Sequence, residues 1–66
     1  MASINVDDVV RLTLDLPELM LKAGEEGVVR ATWFATTSAY EVEFSNGRRA
    51  LLLPEQVCLV SHSTAQ

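Results

Sequence analysis

No apolar run in this chain approaches the length of a membrane span, no segment repeats, and no tract is of low complexity. A single cysteine, Cys58, cannot make an internal disulfide. The opening residues MASINVDD carry neither the basic nor the apolar segment of a secretory signal. These absences point to a reducing, cytoplasmic setting. Basic residues are scarce: five Lys and Arg against nine Asp and Glu leave a formal charge of −4. A field of that sign repels phosphate backbones and anionic membrane surfaces, so nucleic acid is the disfavoured partner and no membrane is expected. Length is short too. A 66-residue chain makes one domain that buries only about 60% of its unfolded surface. Its radius of gyration should be roughly 11 Å, enough for one layer of core and too little for an enclosed pocket of several hundred cubic ångströms. A stand-alone enzyme is therefore not expected.

Patterns that carry chemistry are also missing. Glu41 and Glu43 share a strand face, but no histidine or third carboxylate is placed to complete a metal shell, so they read as the solvated side of a strand near Arg48. Cys58 would need a base to act as a nucleophile, and the one histidine, His62, falls in the polar tail, so Cys58 reads as a small hydrophobe. Gly24 and Gly27 lack the Lys-Ser/Thr pair of a phosphate loop and read as turn residues. No catalytic residue, metal or cofactor is expected.

What is present specifies a β fold. A hydrophobic content of 48% is too high for a disordered chain. The stretch YEVEFSNGRRALLL, residues 40–53, reads as a hairpin in which Tyr40, Val42 and Phe44 alternate with Glu41 and Glu43 and Asn46-Gly47 supplies the turn. With Asn46 and Gly47 as a two-residue loop, Val42 faces Leu51 and Tyr40 faces Leu53, and these four share the buried side. Glu43 then faces Ala50 and Glu41 faces Leu52 on the outside. Upstream, Asp7 to Leu14 alternates as a first strand with Val10, Leu12 and Leu14 on one side. Asp15 to Gly27 suits an irregular loop whose Leu16, Leu19 and Leu21 cover an open end of the core. Asp15 and Glu18 have capping-box spacing, but Pro17 and the short length argue against a full helix. Gly24 to Gly27 is a turn, and Val28 to Phe34 the second strand. Both of its parities carry apolar residues; Val29, Ala31 and Trp33 are favoured inside because Arg30 then reaches water. A polar connection, 35–39, precedes the hairpin. Pro54 to Gln56 is a break that suits one helical turn, Val57 to Val60 is a last strand, and 61–66 is a frayed tail, so the ordered core runs from about 6 to 60. Five short strands with one long loop after the first and a break before the last make a small SH3-like barrel; the rival, an OB-type barrel, usually needs longer strands and more residues.

The chain also resembles a family. DDVVRLTLDLPE, KAGEEGVV and YEVEFSNGR follow, in order, the pattern of the small bacterial proteins of domain-of-unknown-function family 4926, over residues 7 to about 60. The resemblance implies an SH3-like barrel without an assigned activity; the return strand is less polar here than that pattern.

For function, the register leaves Leu52 and Ala50 on the outer face, beside Trp33 or Phe34 and edged by Glu41 and Glu43. An apolar centre edged by charge is the layout of a protein interface. The expected role is a non-catalytic interaction or accessory module that binds a protein or a second copy of itself. One alternative is a nucleic-acid-binding barrel using Arg48, Arg49, Arg30 and Trp33. Another is an acidic protein that neutralises a basic protein partner.

Overall fold

The computed structural model describes residues 4–34 and 38–63, and of Phe34 the backbone alone. The alternating segments form β1 (Val9–Leu12), β2 (Glu26–Phe34), β3 (Ser38–Phe44), β4 (Arg49–Leu52) and β5 (Val57–Ser61). All pairings are antiparallel, in the order β4-β3-β2-β1-β5. The protein is thus all-β, built on one five-stranded sheet, and because β4 and β5 do not pair the sheet is not closed. The expected loop after β1 is present: it holds one 3-10 turn, Pro17–Leu19, and a bridge between Leu16 and Leu21. No capping box forms there, since Asp15 instead accepts the Ala23 N–H at 2.8 Å. Leu16 and Leu21 are buried in the core and Leu19 packs against it, which is the covering role expected of all three. A second 3-10 turn, Pro54–Gln56, forms at the expected break.

The hairpin exists, but its register differs by one residue. Phe44 donates to the Arg48 carbonyl at 2.8 Å, and Gly47 donates to the Phe44 carbonyl at 2.9 Å, so the loop is the three residues Ser45, Asn46 and Gly47. Gly47 takes the left-handed conformation, with φ of 83°, and the Asn46 side chain accepts the Arg48 N–H. This is a type I turn completed by a glycine bulge, a turn that Asn-Gly serves as well as the two-residue kind. The added loop residue flips the whole return strand. Val42 lies opposite Ala50 and Tyr40 opposite Leu52, all buried, while Leu51 pairs with Glu41 outside. The outward placement of Leu52 and Ala50 and the inward placement of Leu51 and Leu53 are corrected accordingly: Leu52 is 2% exposed and Leu51 66%. Arg49, rather than Arg48, faces Glu43.

A second shift lies in β2. Val29 pairs with Val42 but Ala31 with Glu41, so a bulge falls between Val29 and Ala31. Odd-numbered residues before it point inward and those after it outward. Val29 is fully buried, as expected; Trp33, expected inside with it, lies on the outer face at 55% exposure. The turn before β2 also sits earlier than expected, at Lys22–Glu25, with Glu26 and Gly27 already in the strand. Gly27 is required there by close approach: a Cβ would lie 2.6 Å from Val42 Cγ1 and 2.8 Å from the Glu43 carbonyl oxygen.

The core is a single layer built from Val10, Leu12, Val29, Val42, Phe44 and Leu52 with their buried neighbours, and the radius of gyration is 11.1 Å. Fraying from residue 61 is corrected for Ser61 to Ser63, since β5 runs to Ser61 and His62 and Ser63 bind Asp8. Of the connection expected at 35–39, Ser38 and Ala39 already belong to β3, while 35–37, like the ends at 1–3 and 64–66, lies outside the described residues.

Candidate functional site

The outer face of β2, β3 and β4 brings exposed Trp33 and Leu51 together with Glu41, Glu43 and Arg49. The bulge in β2 carries Trp33 there; alternation in β3 carries Glu41 and Glu43; the glycine bulge at Gly47 carries Arg49 and Leu51. Trp33, Glu41, Arg49, Ala50 and Leu51 line one shallow, open depression of about 330 Å³. Glu41 and Arg49 are its charged lining, and a chain of ion pairs runs on from them. Arg49 reaches Glu41 at 3.2 Å and Glu43 at 3.7 Å, and Arg30 reaches Glu43 at 3.0 Å and Asp7 at 3.7 Å. These groups are exposed or half-exposed, where such pairs contribute little stability, about 0–1 kcal/mol each.

Of the residues expected to form an interface, Trp33, Glu41 and Glu43 meet on this face. Leu52 does not, and Ala50 reaches the depression while keeping only 7% of its surface exposed. Phe34 pairs with Ser38 through the backbone. Leu51, which the two-residue turn put inside, occupies the place expected of Leu52. Of the residues considered for nucleic acid, Arg30, Arg49 and Trp33 share the face, but both arginines are engaged by carboxylates. Cys58 is exposed on β5, opposite Arg11, so it is not the packed hydrophobe expected. Among the described residues no three His, Cys, Asp or Glu side chains gather as a metal site. No described helix is long and apolar enough to cross a membrane.

One polar cluster carried no signal in the sequence. Asp8 is the sole buried charged residue among those described, at 2% exposure. Its carboxylate accepts the backbone N–H groups of Ser63 at 2.7 Å and Asn5 at 2.9 Å, and lies 3.1 Å from His62 Nδ1. The Ser63 and Asn5 N–H groups, followed by His62, hold its carboxyl below the usual aspartate range against the opposing effect of burial. All its partners act within the fold: the cluster ties β5 to the segment before β1. Two of the bonds come from backbone amides 3 and 55 residues away, which any residue type can supply, so composition could not announce them.

A family model described as Domain of unknown function (DUF4926) fits residues 7–49, which include β1, β2, β3 and the turn into β4. None of the curated proteins or solved structures compared matches the chain.

Proposed function

Since the chain belongs to the family described as domain of unknown function 4926, a membership that assigns no activity, we propose on the strength of its surface that it is a non-catalytic interaction module. In this reading the bent sheet is an SH3-like barrel in the cytoplasm, and its β2-β3-β4 face captures a protein partner. The observation that carries the reading is Trp33 and Leu51, 55% and 66% exposed, lining one depression bordered by paired charges. Large apolar side chains left in water at the centre of a polar border are what binding energy concentrates on in protein interfaces, and tryptophan is prominent among them. The partner offers an apolar side chain to the depression and a basic rim to a molecule of net charge −4. Nucleic acid fits less well, because Arg30 and Arg49 already have carboxylate partners.

The test is capture by the intact chain compared with Trp33→Ala and Leu51→Glu, each checked for an unchanged melting temperature. Capture should weaken by more than about 1 kcal/mol in each variant, as for a central interface residue. Equal capture by the two folded variants rejects this face. A low-salt gel shift that is abolished by Arg49→Glu would instead favour nucleic acid.

A further inference from the structure

The open sheet leaves β4 as an edge, and its hydrogen-bonding groups are offered in a narrow window. Antiparallel ladders alternate, so the bond from Phe44 to Arg48 places Ala50 and Leu52 with their N–H and C=O turned to β3. Arg49 and Leu51 turn theirs the other way, and no described residue pairs with them. The next outward position, Leu53, is closed: its N–H donates to Gln56 Oε1 at 2.8 Å and its C=O accepts the Gln56 N–H at 3.0 Å. The other edge, β5, pairs with β1 through a register shift at Val9/Val10, an irregularity of the kind that bends a strand and blunts its edge.

We infer that β4 pairs with β4 of a second copy, antiparallel and about a two-fold axis at Ala50. This goes beyond partner capture by the sheet face, because the bond is made by the strand edge. Centred on Ala50, the pairing sets Arg49 opposite Leu51 of the second copy twice, which satisfies all four free N–H and C=O groups of each chain and asks nothing of the capped Leu53. A two-fold at Leu51 would instead set Arg49 against Leu53, whose groups Gln56 holds. Charge agrees with the Ala50 centre. Across the joined sheets each outer row reads Glu43, Arg49, then Leu51 and Glu41 of the second copy, so no like charges stand directly opposite. The two Leu51 side chains become diagonal neighbours, within reach of one another. The strand contact is short, so the pair is a weak and transient one.

Sedimentation from dilute solution to roughly 1 mM, a concentration that populates millimolar dissociation constants, is combined with amide hydrogen exchange followed residue by residue. The expected result is a monomer–dimer equilibrium in which the Arg49 and Leu51 amides, unprotected when dilute, become protected when concentrated, while Ala50 and Leu52 are protected throughout. Leu51→Pro removes only an outward N–H, which an edge strand tolerates, and should stay folded and monomeric. Trp33→Ala, which tests the face, should dimerise like wild type. The pairing is overturned by a monomer at the highest concentration, by a dimer whose Arg49 and Leu51 amides stay unprotected, or by a folded Leu51→Pro that dimerises normally. If Leu51→Pro does not fold, the wild-type exchange pattern alone decides between these outcomes.

Discussion

Leu51 and Leu52 are neighbours in the chain and opposites in the fold. Leu52→Ala empties part of the core and should cost about 2–5 kcal/mol in urea unfolding, whereas Leu51→Ala should change stability by no more than about 0.5 kcal/mol. The reverse ranking would restore the two-residue turn and its register. Gly27 is a second position where one methyl group matters. Gly27→Ala drives a Cβ into Val42 and the Glu43 carbonyl of β3, and because the backbone oxygen cannot rotate away, a loss of about 1–3 kcal/mol is expected from overpacking. An unchanged thermal midpoint would show that β2 and β3 can separate at no cost. For Asp8 the sign follows from its lowered carboxyl pKa, caused first by the Ser63 N–H and then by the Asn5 N–H. Above the usual aspartate value of about 3.9, Asp8 is ionised in both the folded and unfolded chain and its hydrogen bonds stabilise in full. As pH falls below that value the unfolded chain takes up the proton first, and the contribution fades until the folded carboxyl also titrates. Asp8→Asn should therefore lower stability at pH 7 and lose less on going to pH 3 than wild type does. Parallel pH profiles for the two proteins would remove Asp8 from the acid response.

At the scale of elements, the turn and the bulge decide which side chains meet. A Cβ added at Gly47 would meet no atom within 4 Å, so the requirement for glycine there is purely conformational, a φ of 83°. Gly47→Val should cost at least about 1–2 kcal/mol, and Gly47→Asn clearly less, since asparagine visits the left-handed region far more readily. Equal melting temperatures for wild type and Gly47→Val would displace the turn from Ser45–Gly47. The hairpin itself, the covering leucines of the loop and the number of strands were legible because each rests on a local signal: alternation, Asn-Gly, a proline break. The register was not, because Asn-Gly fits turns of two and of three residues and the difference of one reassigns Ala50, Leu51, Leu52 and Leu53 together. Nor was the fate of Trp33. A bulge leaves no mark in composition, and in VVRATWF both parities are apolar, so only the pairing with β3 shows that Val29 and Trp33 face opposite ways. The candidate surface was correspondingly half legible: Trp33, Glu41 and Glu43 belong to it, while Leu51 took the place expected of Leu52.

On the scale of the whole molecule, a single core layer in a body with a radius of gyration of 11.1 Å leaves little redundancy. Strand β1 illustrates this, since it is flanked by β2 on one side and by β5 on the other. A chain ending at Gln56 would expose that second flank, remove buried Val57 and leave Asp8 without Ser63 and His62. It should melt without a cooperative transition, and a sigmoidal melt close to that of the full chain would show that β5 is dispensable. The carboxylate of Asp8 has a further consequence, one of time. Its bond to the Ser63 amide closes a loop of 55 residues, so the contact that finishes the sheet spans nearly all of the described sequence. Loops of that length close late, and topologies dominated by them fold in milliseconds to seconds instead of microseconds. During synthesis, β2, β3 and β4 can form their meander as soon as they emerge, but β1, made first, waits with one edge bare until residues 57–63 arrive. That waiting interval, rather than the finished fold, is when the protein is most open to pairing with the wrong strand.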